Sequence, residues 1–376
     1  MTPKYVPVLK AKKGEFDALS NLSSSVTRGM LPLFELPKLT NKMLQGKLYS
    51  SVSNPTELFV RNNASNVASV MNGASVMLDI SKWSPSSTIE NGEHILGFYS
   101  SQLSNYGCEV IPVVGYDRWE DKEYSLVLRS LSQRYEKFCI RLESYAFDDM
   151  VEVGPFIDML DEMISYLDLD VSSCSVILDF ADVTRMSIID IEEKAKESIE
   201  LLSPYGFGFI SIAGCSISPD INGMVPETNS EGLVVRKEMA AWQTLKSFHP
   251  QENIVFGDYG ISSPQVGDEI IAPDANGKIR YTILGKYFVV RGYSRQQGEK
   301  GAQMYGLCKK LIASPYYLGV SFSWGDNMIA RCANEDIKGS TTQWVSIDTN
   351  HHATFVMQEV LEFERGLAHQ RARLAV

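Results

Sequence analysis

The sequence is poor in the residues that build metal and redox sites. It has five histidines and six cysteines in 376 residues, and no two cysteines form a C-x-x-C pair. A zinc site needs His and Cys ligands at short, regular spacing, so we expect none. We interpret the cysteines as reduced thiols buried in apolar runs; they are Cys108, Cys139, Cys174, Cys215, Cys308 and Cys332.

Long apolar segments are also missing. No apolar run approaches the ~18 residues that suggest a membrane span. The opening MTPKYVPVLKAKKGEF has lysines but neither an apolar h-region nor a small-residue cleavage site, unlike a signal peptide. We therefore predict a cytoplasmic protein that makes no membrane contact. The net charge of −11 disfavours electrostatic coating of DNA but allows a local basic site.

The familiar catalytic and nucleotide motifs do not occur. The sequence contains no G-x-S-x-G, H-E-x-x-H or P-loop motif. A doubly wound dinucleotide fold needs a glycine-rich turn after an early strand, and the first turn, from Lys10 to Gly14, is not one. The G-x-G at Gly206 and Gly208 enters a predicted strand instead of leaving one. These gaps disfavour an open nucleotide-binding sheet.

What the sequence does contain is a regular alternation of short apolar runs and helix-like stretches. Runs that are apolar on both faces are typical of buried parallel strands, and alternation with helices indicates βαβ units. Eight units predict an α/β fold, a closed TIM-like (β/α)8 barrel. The predicted strands lie near Tyr5–Leu9, Leu31–Leu36, Ser75–Ile80, Glu109–Val114, Phe138–Leu142, Ser175–Phe180, Gly208–Ala213 and Asn253–Gly257.

The pattern changes at both sides of the eighth predicted strand. Glu231–Phe248 is predicted as the helix before it. After it, KIRYTILGKYFVVRGY predicts two strands of a β-ribbon around Gly285, inserted at about residues 278–298. The amphipathic stretch Glu299–Ser314 suits the eighth barrel helix. We therefore predict a barrel over residues 1–314 and a C-terminal extension over 315–376 packed on it.

Polar residues follow most of the predicted strands. In barrel enzymes the chemistry gathers at the C-terminal ends of the strands, where the βα loops converge. Carboxylates there suit general acid–base work or a divalent metal such as Mg²⁺. We predict Glu35, Asp79, Glu143, Asp179 and Asp258 as catalytic acids, with Glu35, Asp79, Asp179 and Asp258 facing one cavity. Lys10, Lys12 and Arg141 are predicted to bind ligand beside them. The alternative is that the acids are helix N-caps and ion-pair partners.

The ribbon segment is basic in an acidic protein. Residues 278–310 hold eight lysines and arginines against one acid, Glu299, with tyrosines interleaved. Arginine and aromatic groups together suit phosphates and stacked bases. We predict that Arg280, Arg291 and Arg295 bind an anionic ligand above the barrel mouth, flanked by Tyr293. The alternative is a solvated ribbon that pairs with the protein's own acidic surface.

Several segments resemble one family. The opening YVPVLKAKKGEFDAL with LPLFELP, and the later RYT, RGY, FSWGD and WVSIDTNHH segments, are similar to the beta-protein family of bacteriophages and bacteria. The likeness spans most of the chain and is most specific at its ends. It implies a role in phage–host conflict and lends no catalytic residues. Its C-terminal motif contains Trp324, Asp326, Trp344 and His352, of which His352 could serve as a general base or be a packed histidine.

Three functions remain open at this point. The first is an enzyme or binding protein, hydrolase- or phosphodiesterase-like if an enzyme, whose mouth takes an anionic small molecule or a nucleic-acid end. The second is a non-catalytic, defence-associated protein that binds a phage or host partner. The third is a sugar-active barrel with paired carboxylates such as Glu35 and Glu143, whose separation would set the stereochemistry. A closed, polar mouth with its acids within a few ångströms of each other favours the first or third function, and a mouth plugged by the C-terminal segment favours the second.

Overall fold

Eight parallel strands close into a barrel in the computed structural model, which describes residues 2–265, 275–294, 296–297 and 301–374, with side chains as far as 369. The predicted (β/α)8 barrel is therefore confirmed. Its strands pair in sequence order, and the last pairs with the first. They are β1 Tyr5–Lys10, β2 Leu33–Glu35, β3 Ser75–Asp79, β4 Glu109–Gly115, β5 Cys139–Leu142, β6 Ser175–Asp182, β7 Phe209–Cys215 and β9 Ile254–Asp258.

Most of the helices pack around the barrel, and some of them begin at side-chain caps. Asp121 accepts a hydrogen bond from the backbone of Tyr124, and Ser187 with Asp190 forms a capping box. The helices are α1 Lys13–Ser20, α2 Ser24–Thr27, α3 Asn41–Leu44, α4 Pro55–Met71, α5 Ile95–Asn105, α6 Lys122–Ser132, α7 Ser144–Asp149, α8 Val153–Leu167, α9 Ile188–Leu202, α10 Lys237–Phe248, α11 Gln303–Ala313, α12 Trp324–Ala333 and α13 Thr341–Leu374. Among the described residues, no helix is both long and apolar enough to cross a membrane.

Alternate residues of each strand face the barrel interior or the helix layer. On β1, Val6 and Val8 belong to the interior cluster, whereas Tyr5 and Leu9 pack in the layer under the helices. On β9, Val255 faces inward and Phe256 outward. This period of two decides which strand-end residues can meet in the mouth.

A second, antiparallel sheet lies over one side of the mouth. β10 Asn276–Ile283 and β11 Lys286–Ser294 form the predicted hairpin, and β8 Glu231–Val235 pairs with β11 as the third strand. The prediction of a helix beginning at Glu231 is therefore wrong for six residues, 231–236, since α10 begins at Lys237. The segment EGLVV contains β-branched residues and pairs with β11 of the ribbon as a strand. This tertiary pairing overrides the helical pattern of its sequence.

The helices after the ribbon divide between the ribbon and the barrel. α11 packs with α12 on the outer face of the ribbon, in a cluster with Ile279 and Phe288. The helix that packs on the barrel beside α1 is α13, whose Val356 and Val360 are buried in the layer around the barrel. α13 therefore occupies the place expected for residues 299–314.

Candidate active site at the barrel mouth

A polar layer lies at the C-terminal ends of the strands, above the apolar interior. Side chains along a strand alternate between its two faces, so the residue two places beyond each inward-facing apolar residue also faces inward. This alternation brings the strand-end residues into one layer. Inward residues of this layer are Lys10 of β1, Glu35 of β2, Asp79 of β3, Gly115 of β4, Arg141 of β5, Asp179 of β6 and Tyr259, just after β9. The structure thus brings three of the predicted acids and Arg141 together.

Arg141 lies at the centre of this layer and is buried, with 1% of its side chain exposed. Its Nη1 donates to Glu35 at 2.9 Å and to Asp79 at 2.6 Å. Its Nε donates to Asp179 at 2.8 Å, and its Nη2 donates to the Tyr259 hydroxyl, also at 2.8 Å. One guanidinium therefore joins acids from three strands, because its donors fan out in a plane.

A second arginine, Arg118, enters the mouth from the turn after β4. Its Nη1 donates to Asp79 at 2.6 Å, and its guanidinium packs over the Tyr124 ring. Gly115 provides the room, because a Cβ there would come within 2.0 Å of the Arg118 Nη2. The sequence reasoning missed both Arg118 and Tyr259. The signal for Tyr259 was present in the alternation along Val255, Gly257 and Tyr259.

The two arginines fix the ionisation of the buried acids. Burial by itself raises the pKa of Asp79, but Arg118 and Arg141 outweigh it and lower that pKa to about 2. Burial likewise opposes ionisation of Glu35, and Arg141 with Lys82 lowers its pKa below the ordinary value. Both carboxyls are therefore charged at neutral pH and act as partners of the arginines.

Glu143 behaves differently from these acids. It follows β5 by one residue, and 27% of its side chain is exposed, whereas Glu35 and Asp79 are buried. Its carboxylate oxygens lie 3.6 Å from the Arg141 Nε and 4.0 Å from the Arg118 Nη2. Burial, with the nearby charges of Asp179 and Asp79, raises its pKa to about 7, although both arginines oppose the shift. Glu143 precedes α7 but makes no side-chain capping bond, so the N-cap alternative does not explain it.

Lysines lie at the rim of the same layer. Lys82 Nζ is 3.4 Å from Glu35 Oε1, with a third of its side chain exposed. Ser81 donates to the same oxygen at 2.9 Å. Lys10 is partly buried and donates to the Ser263 carbonyl at 3.3 Å. The other oxygen of Glu35 is buried and has no hydrogen-bond partner in the structure.

Asp258 does not share this cavity, so its prediction as a fourth member of the ring is wrong. It lies at an outward position of β9, two residues after Phe256. Its Oδ1 accepts from the Tyr5 hydroxyl at 2.5 Å, and its Oδ2 lies 2.9 Å from His352 Nε2. His352 also contacts the Thr282 hydroxyl of the ribbon, so Asp258 and His352 fasten α13 and the ribbon to the barrel. Burial lowers the pKa of His352 and favours its neutral form.

The ribbon arginines face the barrel and bond to it. Arg280 donates to the Ile261 carbonyl at 2.6 Å and to Asp348 at 3.1 Å. Arg291 donates to the carbonyls of Val225 and Pro226 at 2.6 and 2.8 Å. Both arginines are thus buried and bonded to the loops after β7 and β9, and Arg280 also to Asp348, whereas the alternative drawn from the sequence is a solvated ribbon that pairs with an acidic surface.

The remaining predicted ligand residues lie apart from the Arg141 cluster. Tyr293 is exposed near the end of β11, where its backbone pairs with the Gln303 side chain. Lys12 is the residue before α1, and it lines a separate cleft between α1 and α4. Arg295 lies outside the described residues. The ligand-binding roles of these residues stay predictions.

The C-terminal motif lies at the contact between α12, α13 and the ribbon, where Asp326, Trp344 and His352 are buried and Trp324 is partly buried. Asp326 accepts from the Tyr281 hydroxyl at 2.6 Å and lies 2.8 Å from His351 Nδ1. The His351 and Tyr281 rings stack with centroids 3.7 Å apart. Trp344 donates to the Lys338 carbonyl at 3.2 Å. The motif therefore assembles the fold beside the mouth.

The acids of the mouth do not form a metal centre. Within the described ranges, no group of three His, Cys, Asp or Glu side chains could hold a metal ion. Glu35, Asp79 and Asp179 all contact the Arg141 guanidinium, which lies where a cation bound by these acids would have to lie. This donor set does not fit the Mg²⁺ considered from the sequence, and we derive no metal chemistry from it.

A sequence model of the family described as Beta protein matches residues 5–358. The match runs from the first residue of β1 into α13 and so includes the barrel, the ribbon and the C-terminal motif. The resemblance drawn from the separate segments is therefore confirmed. No curated protein matches the chain.

Proposed function

The chain belongs to the Beta protein family, and we propose that its barrel mouth binds a phosphate-bearing ligand, a nucleotide or a nucleic-acid end, and performs acid–base chemistry on it through Glu143. The observation that carries this proposal is the partly exposed Glu143 carboxyl, with a pKa raised to about 7, beside Arg118 and Arg141. A carboxyl that is half protonated at neutral pH can both accept and donate a proton.

The buried arginines act as positioning residues in this proposal. Arg141 and Arg118 are held by Asp79, and Arg141 by Glu35 and Asp179 as well, so their guanidinium planes are fixed before a ligand arrives. Prearranged positive charge can stabilise negative charge that develops on a phosphoryl oxygen. The two rim lysines, Lys10 and Lys82, supply point charges at the layer where a phosphate would enter.

The reaction that suits these groups is hydrolysis of a phosphate ester. Ionised Glu143 would take a proton from the attacking water, and protonated Glu143 would give one to the leaving oxygen. The same carboxyl would then return to its starting state after a complete turnover. Glu35 is buried and salt-bridged to Arg141. A sugar-active function that pairs Glu35 with Glu143 therefore has less support than phosphate-ester hydrolysis.

The test is turnover of nucleoside phosphates and short 5′-phosphorylated oligonucleotides at low salt. Glu143→Gln should lower the rate by about 10²- to 10⁴-fold without lowering thermal stability. Glu152→Gln is the matched control, because Glu152 is exposed nine residues further along the chain. Lys82→Ala should raise KM and reduce its salt dependence.

The pH profile gives the second readout. The wild-type rate plotted against pH should show an inflection near pH 7, and Glu143→Gln should remove that inflection. Turnover that survives Glu143→Gln at the wild-type rate would refute the role of Glu143. If no probe is bound or turned over at 50 mM salt, the phosphate ligand is refuted.

One observation favours the second candidate, a non-catalytic interaction protein. The inner face of the ribbon packs over the β7 and β9 side of the mouth, where the Tyr287 hydroxyl donates to the Gly260 carbonyl at 3.2 Å. The β3 to β5 side keeps the partly exposed Glu143 and Lys82, and for this reason we place the acid–base function first. A phage or host protein would then be the ligand in the second candidate.

We also propose that the protein acts in the cytoplasm, in phage–host conflict. Six free, buried cysteines without a disulfide suit a reducing compartment. The conflict role is implied by the family resemblance. It would be tested by phage plating on cells that carry the wild-type gene or the Glu143→Gln gene, where only the wild type should change plating efficiency.

A further inference from the structure

A cavity of about 930 Å³ lies outside the barrel mouth, between α1 and α4. The segment after β2, which contains α3 and Tyr49, forms its third side. None of the mouth residues Glu35, Arg141 or Glu143 lines it. Its size falls within the range of small-molecule sites, which are usually about 300–1,000 Å³.

The floor of this cleft is aromatic and preformed. Phe16, Tyr49 and Phe59 line it and are each buried on the protein side. The rings of Tyr49 and Phe59 meet edge to face with centroids 6.3 Å apart, and Phe59 also packs against Trp83 at 6.2 Å. Such a floor accepts a flat ring by stacking or edge contact.

The rim of the cleft is positively charged. Lys12, Lys13, Lys38 and Lys42 line it, against one acid, Asp17. Among the described residues of the lining, lysines therefore outnumber acids, and Asp17 lies 3.1 Å from the Lys13 ammonium. A concentration of positive charge in a chain of net charge −11 attracts an anion to this place.

Amide side chains complete the lining. Asn63 is committed to the fold, since its Nδ2 donates to the Ala11 carbonyl at 2.7 Å and its Oδ1 accepts from the Tyr99 hydroxyl at 2.5 Å. The bond from Asn63 to Ala11 ties α4 to the end of β1 and holds this wall of the cleft in place. Asn41, Asn62 and Asn66 also line the cleft, and each carries a donor and an acceptor. Paired donors and acceptors are what the edge of a nucleobase requires.

We propose that this cleft binds a mononucleotide, with the base over Phe16, Tyr49 and Phe59 and the phosphate among Lys12, Lys38 and Lys42. The aromatic floor distinguishes this ligand from inorganic phosphate, and the lysines distinguish it from an uncharged aromatic compound. The site is separate from the mouth and does not depend on the acid–base function proposed there.

The test is calorimetric titration of the full chain with AMP, adenosine and inorganic phosphate. The Glu143→Gln protein is titrated beside the wild type, because it keeps the cleft and lacks the carboxyl proposed to react in the mouth. AMP should bind at least tenfold more tightly than adenosine or phosphate alone, and its affinity should fall as salt rises from 50 to 300 mM.

Two variants locate the bound nucleotide. Lys42→Ala should weaken AMP binding about fivefold or more, and Ser69→Trp should abolish it by filling the cleft. Both residues are exposed, so both variants should unfold at the wild-type temperature. Lys47→Ala, an exposed charge removal five residues from Lys42 and outside the lining, should bind AMP like the wild type.

Three results would overturn the site. They are AMP binding that Ser69→Trp leaves intact, phosphate that binds as tightly as AMP, and no AMP binding at millimolar concentration. The first two would leave the turnover test of the mouth unaffected, whereas the third would also count against a nucleotide as the ligand of the mouth. Loss of AMP binding at the cleft in Ser69→Trp with turnover retained would show that the two sites are separate.

Discussion

At the scale of single residues, Arg141 decides the character of the mouth. Three carboxylates from three strands meet at one place, and without a cation they would repel one another in a buried layer. Arg141 and Arg118 bring two positive charges to Glu35, Asp79 and Asp179. The acids still outnumber these two arginines by one. Burial, together with the charges of Asp179 and Asp79, is the physical reason for Glu143, the next acid to approach, to keep its proton up to about pH 7.

Removing Arg141 should therefore be costly to the folded protein. Arg141→Met keeps an apolar stem but leaves Glu35, Asp79 and Asp179 buried without their shared partner. We expect a loss of about 3–5 kcal/mol in the free energy of unfolding, as for other buried ion pairs broken on one side. Urea unfolding at pH 7 measures it.

The matched control for this change is Arg134→Met. Arg134 is exposed just after the end of α6, and its loss should alter the unfolding free energy by no more than about 0.5 kcal/mol. If Arg141→Met shows the full loss of unfolding free energy and Arg141→Lys shows a smaller loss, the cluster needs a positive charge at this place and also the geometry of the guanidinium. An Arg141→Met protein as stable as the wild type would mean that the cluster does not need the guanidinium.

The same residues show what could be predicted from the sequence. The acids of the mouth were found because a carboxylate directly after an apolar run stands out, and Arg141 was found beside them. Asp258 was misplaced because NIVFG is apolar on both faces, so its hydrophobicity gives no sign of which residues face inward. Arg118 was missed because it reaches the mouth only through the space left by Gly115, which is a three-dimensional fact.

At the scale of elements, α13 completes the barrel from the far end of the chain. Its early residues hold the ribbon and α12 through His351 and His352, and its later residues pack on the barrel. The local sequence pattern could identify an amphipathic helix near residue 310. Its place after the eighth strand of the barrel suited the eighth barrel helix. The pattern could not reveal that a helix some 40 residues later packs there instead, since only packing distinguishes the two.

The contact between α12 and α13 is close enough to be tested with one methyl group. A Cβ on Gly325 would come within 2.4 Å of the Ile347 carbonyl and 3.1 Å of the His351 backbone nitrogen. Gly325→Ala must push the helices apart and strain the bonds of Asp326, so we expect a loss of about 1–3 kcal/mol in unfolding free energy. Thermal and urea unfolding both report it.

Gly366→Ala is the control within α13 itself. A Cβ there would meet nothing within 4 Å, and the residue is exposed. Alanine favours helix over glycine by about 1 kcal/mol, so this variant should be as stable as the wild type or slightly more stable. Equal effects at Gly325 and Gly366 would contradict the close helix contact and indicate a purely local helix effect.

At the scale of the whole molecule, an acidic chain buries several carboxyls whose pKa values move in opposite directions. Burial raises the pKa of Glu15, Glu143 and Glu238 to about 7 and that of Asp348 to about 6. Against burial, arginines hold the pKa of Asp79 at about 2, and charged partners also lower the pKa values of Glu35 and Asp258. The balance of the two groups sets the pH dependence of stability.

The two groups act in different pH windows. A carboxyl with a raised pKa binds a proton in the folded state before the unfolded chain does, so its contribution is lost as pH rises from about 4.5 to 7. A carboxyl with a lowered pKa contributes above its ordinary pKa of about 4 and loses that contribution as pH falls towards its folded value. Stability should therefore be highest in mildly acidic solution, near pH 5, and fall towards neutrality.

The prediction is that the urea midpoint decreases from pH 5.5 to 7.5, because the three carboxyls with a pKa of about 7 outweigh the two histidines, His94 and His352, whose lowered pKa values act in the opposite direction. Glu238→Gln should flatten this slope and raise the midpoint most at pH 7.5 and above, because it removes a carboxyl that must ionise while buried. The slope of the unfolding free energy against pH depends on how many more protons one state binds than the other. It changes by about 1.4 kcal/mol per pH unit for each proton by which this difference changes. Glu136→Gln, at an exposed position, should leave the slope as it is. A midpoint that rises between pH 5.5 and 7.5 would contradict this prediction and would mean that the buried histidines, whose pKa values are lowered, dominate this window.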